Sequence, residues 1–154
     1  MPLFDNAIDL IRRQLEDIQK GNRVRAIVIG TLTPAQLGTI NAERHREGQP
    51  PIIDEVLFLG KHLYTSRVTK DGYTIDDVID QIVSAMHHTA AVVASPKMTV
   101  MQNHAPRADR YGNVAIQDMV VLECTARHPR PELYSVIPKG DLKKPKRPPV
   151  RMAF

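Results

Sequence analysis

The sequence predicts an α+β domain whose N-terminal helices pack on an antiparallel sheet ending in a three-stranded meander. Three observations predict it. Apolar residues recur at helical spacing near the N-terminus and again over residues 75–86, the pattern changes to period two after Lys97, and turn residues break the period-two part into short runs. Helical segments followed by strands is the order of an α+β fold. At 154 residues, 42% hydrophobic and 25% charged, the chain has the material for one core. That core is assigned to residues 1–137, with 138–154 as a basic, proline-rich tail.

Each element follows from a local pattern. Phe4, Ile8, Ile11, Leu15 and Ile18 fall on one helical face, and Gly21-Asn22 ends that helix. The β-branched run RVRAIVIG at 23–30 reads as a short buried strand. Thr33-Pro34 offers an N-cap followed by proline at the first helical position; the helix it starts is stopped by Gly48 and Pro50-Pro51, and its thin apolar face, Leu37 and Ile40 before Arg44, predicts a surface position. A strand begins at Glu55 and leads into a polar stretch after Gly60. Thr74 and Asp77 have capping-box spacing ahead of the stripe Ile75, Val78, Ile79, Ile82, Val83 and Met86, and Asp76 and Asp77 suit the positive end of that helix. The meander is then KMTVMQNH, a Gly112-Asn113 turn, VAIQDMVVLECTAR, a turn at 129–131, and ELYSVI.

Charge and motifs exclude several classes. The net charge is +4, and the tail concentrates it: Lys139, Lys143, Lys144, Lys146, Arg147 and Arg151 stand against Asp141 alone. Such a tail predicts an extended segment that adds electrostatic affinity for nucleic acid. No apolar run approaches the roughly 20 residues of a membrane span, and the acidic, amphipathic start is unlike a signal peptide, so a cytoplasmic location is expected. Cys124, the single cysteine, sits in an apolar run and reads as core. Six histidines include no HExxH or paired Cys/His spacing, and phosphate-binding glycine loops are missing, so neither a metal nor a cofactor is expected.

Two polar sets remain. In GKHLYTSR, after the strand at Glu55, Lys61, His62, Ser66 and Arg67 put an imidazole, a hydroxyl and two cations within seven residues. That mixture can bind and protonate a phosphodiester, although a lone histidine at a strand end is more commonly a capping or surface residue. Along VVLECTAR, Val120, Leu122, Cys124 and Ala126 alternate with Glu123, Thr125 and Arg127. The second group makes a polar face that suits either a phosphate or a cross-strand salt bridge. Asp118 falls on the apolar side of this strand, which requires a bulge between Gln117 and Val120 or a specific partner. The loop QNHAPRADRYGN adds Asn103, His104, Arg107 and Arg110 as candidate substrate-binding groups, and Tyr64, Tyr73 and Tyr111 are candidate stacking surfaces.

The order helix, strand, helix, KHLYTSR, amphipathic helix and terminal meander resembles the nuclease superfamily that groups barnase, EndoU-type RNases, tRNA-cleaving colicins and RelE-type toxins (the BECR fold), including its phage and polymorphic-toxin branches. The likeness spans about residues 54–137 and rests on element order and the His-x-x-x-Ser-Arg stretch. It implies metal-independent cleavage of RNA through attack by the ribose 2′-hydroxyl. In that scheme Glu123 is the base, His62 the acid, Lys61, Arg67 and Arg127 stabilise the phosphorane, and Ser66 and Thr125 donate hydrogen bonds. It also implies RNA as partner and, for a toxin, a neutralising immunity or antitoxin protein. A non-catalytic nucleic-acid-binding module and an interaction protein that dimerises through its first helix are the alternatives.

Overall fold

The computed structural model describes residues 3–87, 89–94, 98–103, 105–124 and 129–145; side chains at 87, 89–94, 98–99 and 101–103 lie outside that description. The chain runs α1 (Ala7–Gln19), β1 (Ile27–Thr31), α2 (Pro34–Arg46), β2 (Glu55–Phe58), the short helix α3 (Lys61–Leu63) continuing as a π-helix (Tyr64–Lys70), α4 (Ile75–His87), then β3 (Thr89–Ala94), β4 (Met98–Asn103), β5 (Gln117–Glu123) and β6 (Glu132–Lys139). The fold class is α+β, but the sheet is mixed. Its six strands lie in the order β1-β2-β6-β5-β4-β3. Strands β3 to β6 pair antiparallel in sequence, which includes the expected meander. β1 and β2 are also antiparallel, and the two groups meet where β2 runs parallel to β6. This parallel seam corrects the expectation of a purely antiparallel sheet. Period-two patterning fixes which residues face the core, but carries no information about which strand lies alongside.

One face of the sheet holds the main core. Ala7, Ile11 and Leu15 of α1 and Val78, Ile79, Ile82, Ala85 and Met86 of α4 pack with Ile29, Val56, Phe58, Val120, Leu122, Cys124, Leu133 and Val136 from four strands and the segment after β5. The alternation in β5 therefore has the expected inward set, and Cys124 is core. The opposite face is less polar than expected, because Leu57, Met119 and Val121 are buried there as well.

Several local expectations shift for identifiable reasons. Helix α1 starts at Ala7, so Phe4 lies before it, where its N–H bonds the Ile29 carbonyl beside β1, and both Phe4 and Ile8 are exposed. The buried face is Ala7, Ile11, Gln14 and Leu15. β1 begins at Ile27, and just before it the Arg25 carbonyl is taken by Gln14 Nε2 at 2.7 Å. α2 has its Thr33 cap as a full capping box with Gln36, the two bonds being 3.2 and 3.0 Å. Although its apolar face is thin, Ile40 and Arg44 are buried, and Arg44 Nε donates to the Pro50 carbonyl at 2.7 Å. Thr74 and Asp77 form the predicted box at the start of α4, at 2.9 and 3.2 Å.

Of the expected tail, residues 138–145 are described, and 146–154 lie outside the described residues. β6 continues to Lys139, and the Asn113 side chain holds the Lys143 backbone by two bonds, Nδ2 to O at 2.8 Å and N to Oδ1 at 2.7 Å. Lys143 is thereby held to the Gly112-Asn113 turn, which sits in a long β4–β5 loop and is not a tight hairpin turn. Gly112 has φ of 89°, a left-handed conformation that glycine adopts without strain.

Asp118 has the specific partner its position demanded. Its carboxylate, 0% exposed, accepts from Arg107 Nε at 2.7 Å and Nη2 at 2.9 Å. The irregularity in β5–β6 pairing lies at Val121/Leu122, not between Gln117 and Val120. The fork-to-fork pair also ties the 105–116 loop to β5, alongside the paired backbone bonds of Arg107 with Ile116. Asp118→Ala leaves a largely buried guanidinium without its anion, and should lower unfolding free energy by about 3 kcal/mol in denaturant titration, with Arg107→Met in the same chain recovering part of the loss.

Candidate functional site

The local geometry of GKHLYTSR begins with Gly60. A Cβ there would lie 2.8 Å from Phe58 Cζ and 3.0 Å from Leu15 Cδ2, so only glycine fits between α1 and the end of β2. Its N–H donates to Gln14 Oε1 at 2.7 Å, while Gln14 Nε2 binds the carbonyls of Arg25 and Phe58. One buried amide thereby fixes where the chain leaves β2. Leu63 then anchors α3 in the core. The helix widens to π geometry over Tyr64–Lys70, with Asp71 N–H reaching back five residues to the Ser66 carbonyl at 3.2 Å. Isolated π turns concentrate at functional positions.

On this turn His62 is exposed, with a contact at each ring nitrogen. Tyr134 Oη lies 3.2 Å from Nδ1 and Ser66 Oγ 3.5 Å from Nε2, the latter at the long end of hydrogen-bond reach. The Tyr134 and His62 rings also stack, with centroids 4.1 Å apart and planes 15° apart. Because the two rings are stacked, Tyr134 Oη reaches Nδ1 over the face of the imidazole; the ring is oriented by this stacking and by the Ser66 contact at Nε2. The arrangement can thus orient a proton carrier at the surface, with the Lys61 ammonium on the preceding residue.

Of the sequence-predicted residues, His62 and Ser66 come together, and Lys61 is the exposed residue before His62. Arg67 shares the turn but is turned to Asp71, Nη1 to Oδ2 at 3.1 Å, and its Nε is buried without a partner. Glu123 follows core-facing Leu122 and so leaves β5 on the opposite face, where it lies across from Glu132; no hydrogen bond or ion pair links it to His62. Arg107 and Arg110 belong to a separate region with Asp118 and Asp77. Thr125, Arg127 and His104 lie outside the described residues, as does the Asn103 side chain. Tyr73 is buried and meets Tyr111 edge-on at 5.9 Å, and Tyr64 packs against the core. The tyrosine that stacks on the site is Tyr134, which sequence reasoning missed. Only the β2–β6 pairing brings it near His62, and its own alternating run gave no hint of that.

The second region centres on Asp77. Besides its capping role, it accepts from Arg110 Nε and Nη2, both at 3.1 Å, and from Tyr111 Oη at 2.6 Å. Burial works against its charge, but the bonds from Arg110, Tyr111 and Thr74 prevail and lower its pKa. Burial first, then the bond to Asp77, pushes the Tyr111 hydroxyl up to about 12. Burial likewise opposes the Arg107 charge, yet Asp118 raises its pKa above the ordinary arginine value. Among the described residues, no three histidine, cysteine or carboxylate side chains gather as metal ligands.

No protein-family model matches the chain, and no significant match is found among curated proteins or solved structures. No helix among the described residues is long and apolar enough to cross a membrane.

The direction of the Asp77 shift sets a pH dependence. A carboxylate with a lowered folded pKa stabilises the fold above its unfolded value, about 3.9, and loses that contribution as pH falls through the folded value. Asp77→Asn should therefore be less stable than the parent by about 1 kcal/mol at neutral pH. The difference, followed by denaturant unfolding, should narrow as pH falls below about 4.

Proposed function

We infer that this chain is a metal-independent endoribonuclease of the BECR kind, acting in the cytoplasm on RNA, with a neutralising partner if it is a toxin. The observation that carries the reading is His62: exposed, stacked on Tyr134 and in contact with the Ser66 hydroxyl, with Lys61 as the preceding residue. Imidazole is the natural proton carrier near neutral pH, and its fixed orientation favours transfer in a defined direction. In the proposed reaction a base takes the ribose 2′-proton and the 2′-oxygen forms a bond to phosphorus. The bond to the 5′-oxygen breaks, and His62 protonates that leaving oxygen. The products are a 2′,3′-cyclic phosphate and a 5′-hydroxyl. Lys61 stabilises the phosphorane charge, Ser66 supplies a hydroxyl donor, and Tyr134 orients the ring.

A second reading, nucleic-acid binding without cleavage, is favoured by Glu123. It lies across from Glu132 at the end of β5, and no hydrogen bond or ion pair among the described residues links it to His62.

Incubation of the purified chain with total RNA in EDTA separates the two. Cleavage is expected to yield cyclic-phosphate ends, and His62→Ala should lower its rate roughly 100-fold while leaving RNA binding nearly intact. Salt-sensitive binding with no cyclic-phosphate ends supports the second reading and removes the first. Full activity in His62→Ala removes the role assigned to this residue.

A further inference from the structure

A cleft of about 210 Å³ opens between α4 and the 105–111 loop, and its polar lining is unequal. Most of its charged groups are already committed. Asp77 is held by Thr74, Arg110 and Tyr111, and Arg107 is paired with Asp118. Asp109 accepts from the N–H groups of Tyr111 and Asn113 at 2.9 and 3.1 Å and from Asn113 Nδ2 at 2.9 Å. Two groups on α4 are left over. Asp80 makes no hydrogen bond or ion pair among the described residues. Gln81, only 2% exposed, lines the same cleft with its Oε1 buried and without a partner.

Both leftover groups are acceptors, and one is an anion. A buried amide oxygen without a donor is destabilising relative to a satisfied one, so it marks a position where a donor belongs. An anionic ligand is disfavoured, because Asp77, Asp80 and Asp109 line the cleft while both arginines are engaged. An apolar ligand would leave Gln81 Oε1 unsatisfied, and a water would satisfy it without balancing Asp80. A ligand that offers N–H donors and positive charge together answers both needs. Tyr73 supplies aromatic wall suited to a cation, while the Tyr111 ring, edge to face with it, already carries the Arg110 guanidinium 4.8 Å from its centroid. The volume fits a small head group and lies below the usual range for a drug-sized ligand.

We propose that this cleft binds a small organic cation, an ammonium or guanidinium group, which donates to Gln81 Oε1 and pairs with the Asp80 carboxylate. The site is separate from His62 and does not depend on the chain cutting RNA. The pKa of Asp80 is raised, first by burial and then by Asp77 and Asp76, with Arg107 and Arg12 opposing; a bound cation supplies the counter-charge that the fold withholds. The cation comes either as a free amine or guanidine or as a lysine or arginine side chain of another protein.

Calorimetric titration and side-chain NMR of the full chain test this with four probes: methylammonium, methylguanidinium, and short peptides carrying one lysine or one arginine. A peptide with citrulline in place of arginine is the neutral control. Saturable binding of at least one cationic probe is expected, with perturbation of the Gln81 amide resonances. Binding of the free cations indicates a small-molecule ligand, and binding of the peptides alone indicates a protein side chain. Asp80→Asn should weaken binding roughly tenfold or more, as expected for losing a charged hydrogen-bond partner. Gln81→Leu should also weaken it while keeping or raising the thermal midpoint, since it removes the orphaned oxygen at similar volume. Absence of saturable binding by all four probes overturns the proposal, as does equal affinity for the citrulline peptide or unchanged affinity in both variants.

Discussion

The short parallel seam between β2 and β6 is the constraint on which the arrangement depends. It pairs Leu57 with Glu132 and Phe58 with Leu133, and is extended by backbone bonds from Ile53 N to the Pro129 carbonyl and from Leu57 N to the Pro131 carbonyl, at 2.7 and 2.8 Å. These contacts join the N-terminal strand pair to the C-terminal meander in one sheet. They also set the chain that leaves β2 beside the early residues of β6. His62 and Tyr134, separated by 72 positions, meet for that reason. Gln14 supports the same junction from α1, because its amide occupies the Arg25 and Phe58 carbonyls and the Gly60 N–H at once. The site is built on a strand end held from two directions, which is the kind of support a proton carrier needs to keep a fixed orientation.

The arginines show how a fold redistributes charge that a sequence displays as free. Arg67, Arg107 and Arg110 looked like cations available to a phosphate, yet they face Asp71, Asp118 and Asp77 respectively. The reason is strongest at Asp118. A carboxylate in the core side of a central strand requires a paired cation, and Arg107 satisfies it with the bidentate geometry that only guanidinium provides. Asp77 gathers a cap, an arginine and a tyrosine at the start of α4, stiffening the loop that follows β4. These commitments leave Lys61, exposed and directly before His62, as the cation of the GKHLYTSR stretch with no carboxylate partner among the described residues.

Local features of the fold were legible in the sequence. The Thr33 N-cap, the capping pair Thr74/Asp77, the α4 stripe and the inward set Val120, Leu122 and Cys124 all follow from short-range rules that tertiary contacts do not disturb. The need of Asp118 for a partner was legible too, since burial of a lone carboxylate is prohibitive. The identity of that partner was not, because it depends on how a loop folds back over 11 residues. The parallel pairing of β2, the strand over Thr89–Ala94 and the stacking of Tyr134 were invisible for a related reason. Patterning gives each strand an inside and an outside, while neighbour choice is decided by packing across the whole sheet. Helical spacing brings Ser66 to His62, whereas Glu123 leaves β5 on the side opposite Leu122, and Thr125 and Arg127 lie outside the described residues.

The basic tail illustrates the same competition between charge and structure. Read as composition, its lysines form an extended arm for polyanions. In the fold, the Lys143 backbone is clamped by Asn113, and Lys144 Nζ lies 3.3 Å from Asp71 Oδ1, next to the Arg67 contact on the same carboxylate. Asn113 in turn holds Asp109 of the α4 cleft, so residues 143 and 144 bridge the end of the π-helix to the turn beside that cleft. An ammonium paired with a mostly buried carboxylate has less to offer a phosphate than a solvated one, because the polyanion must first displace Asp71. The early tail therefore contacts the end of the π-helix that carries Ser66 as well as adding positive charge.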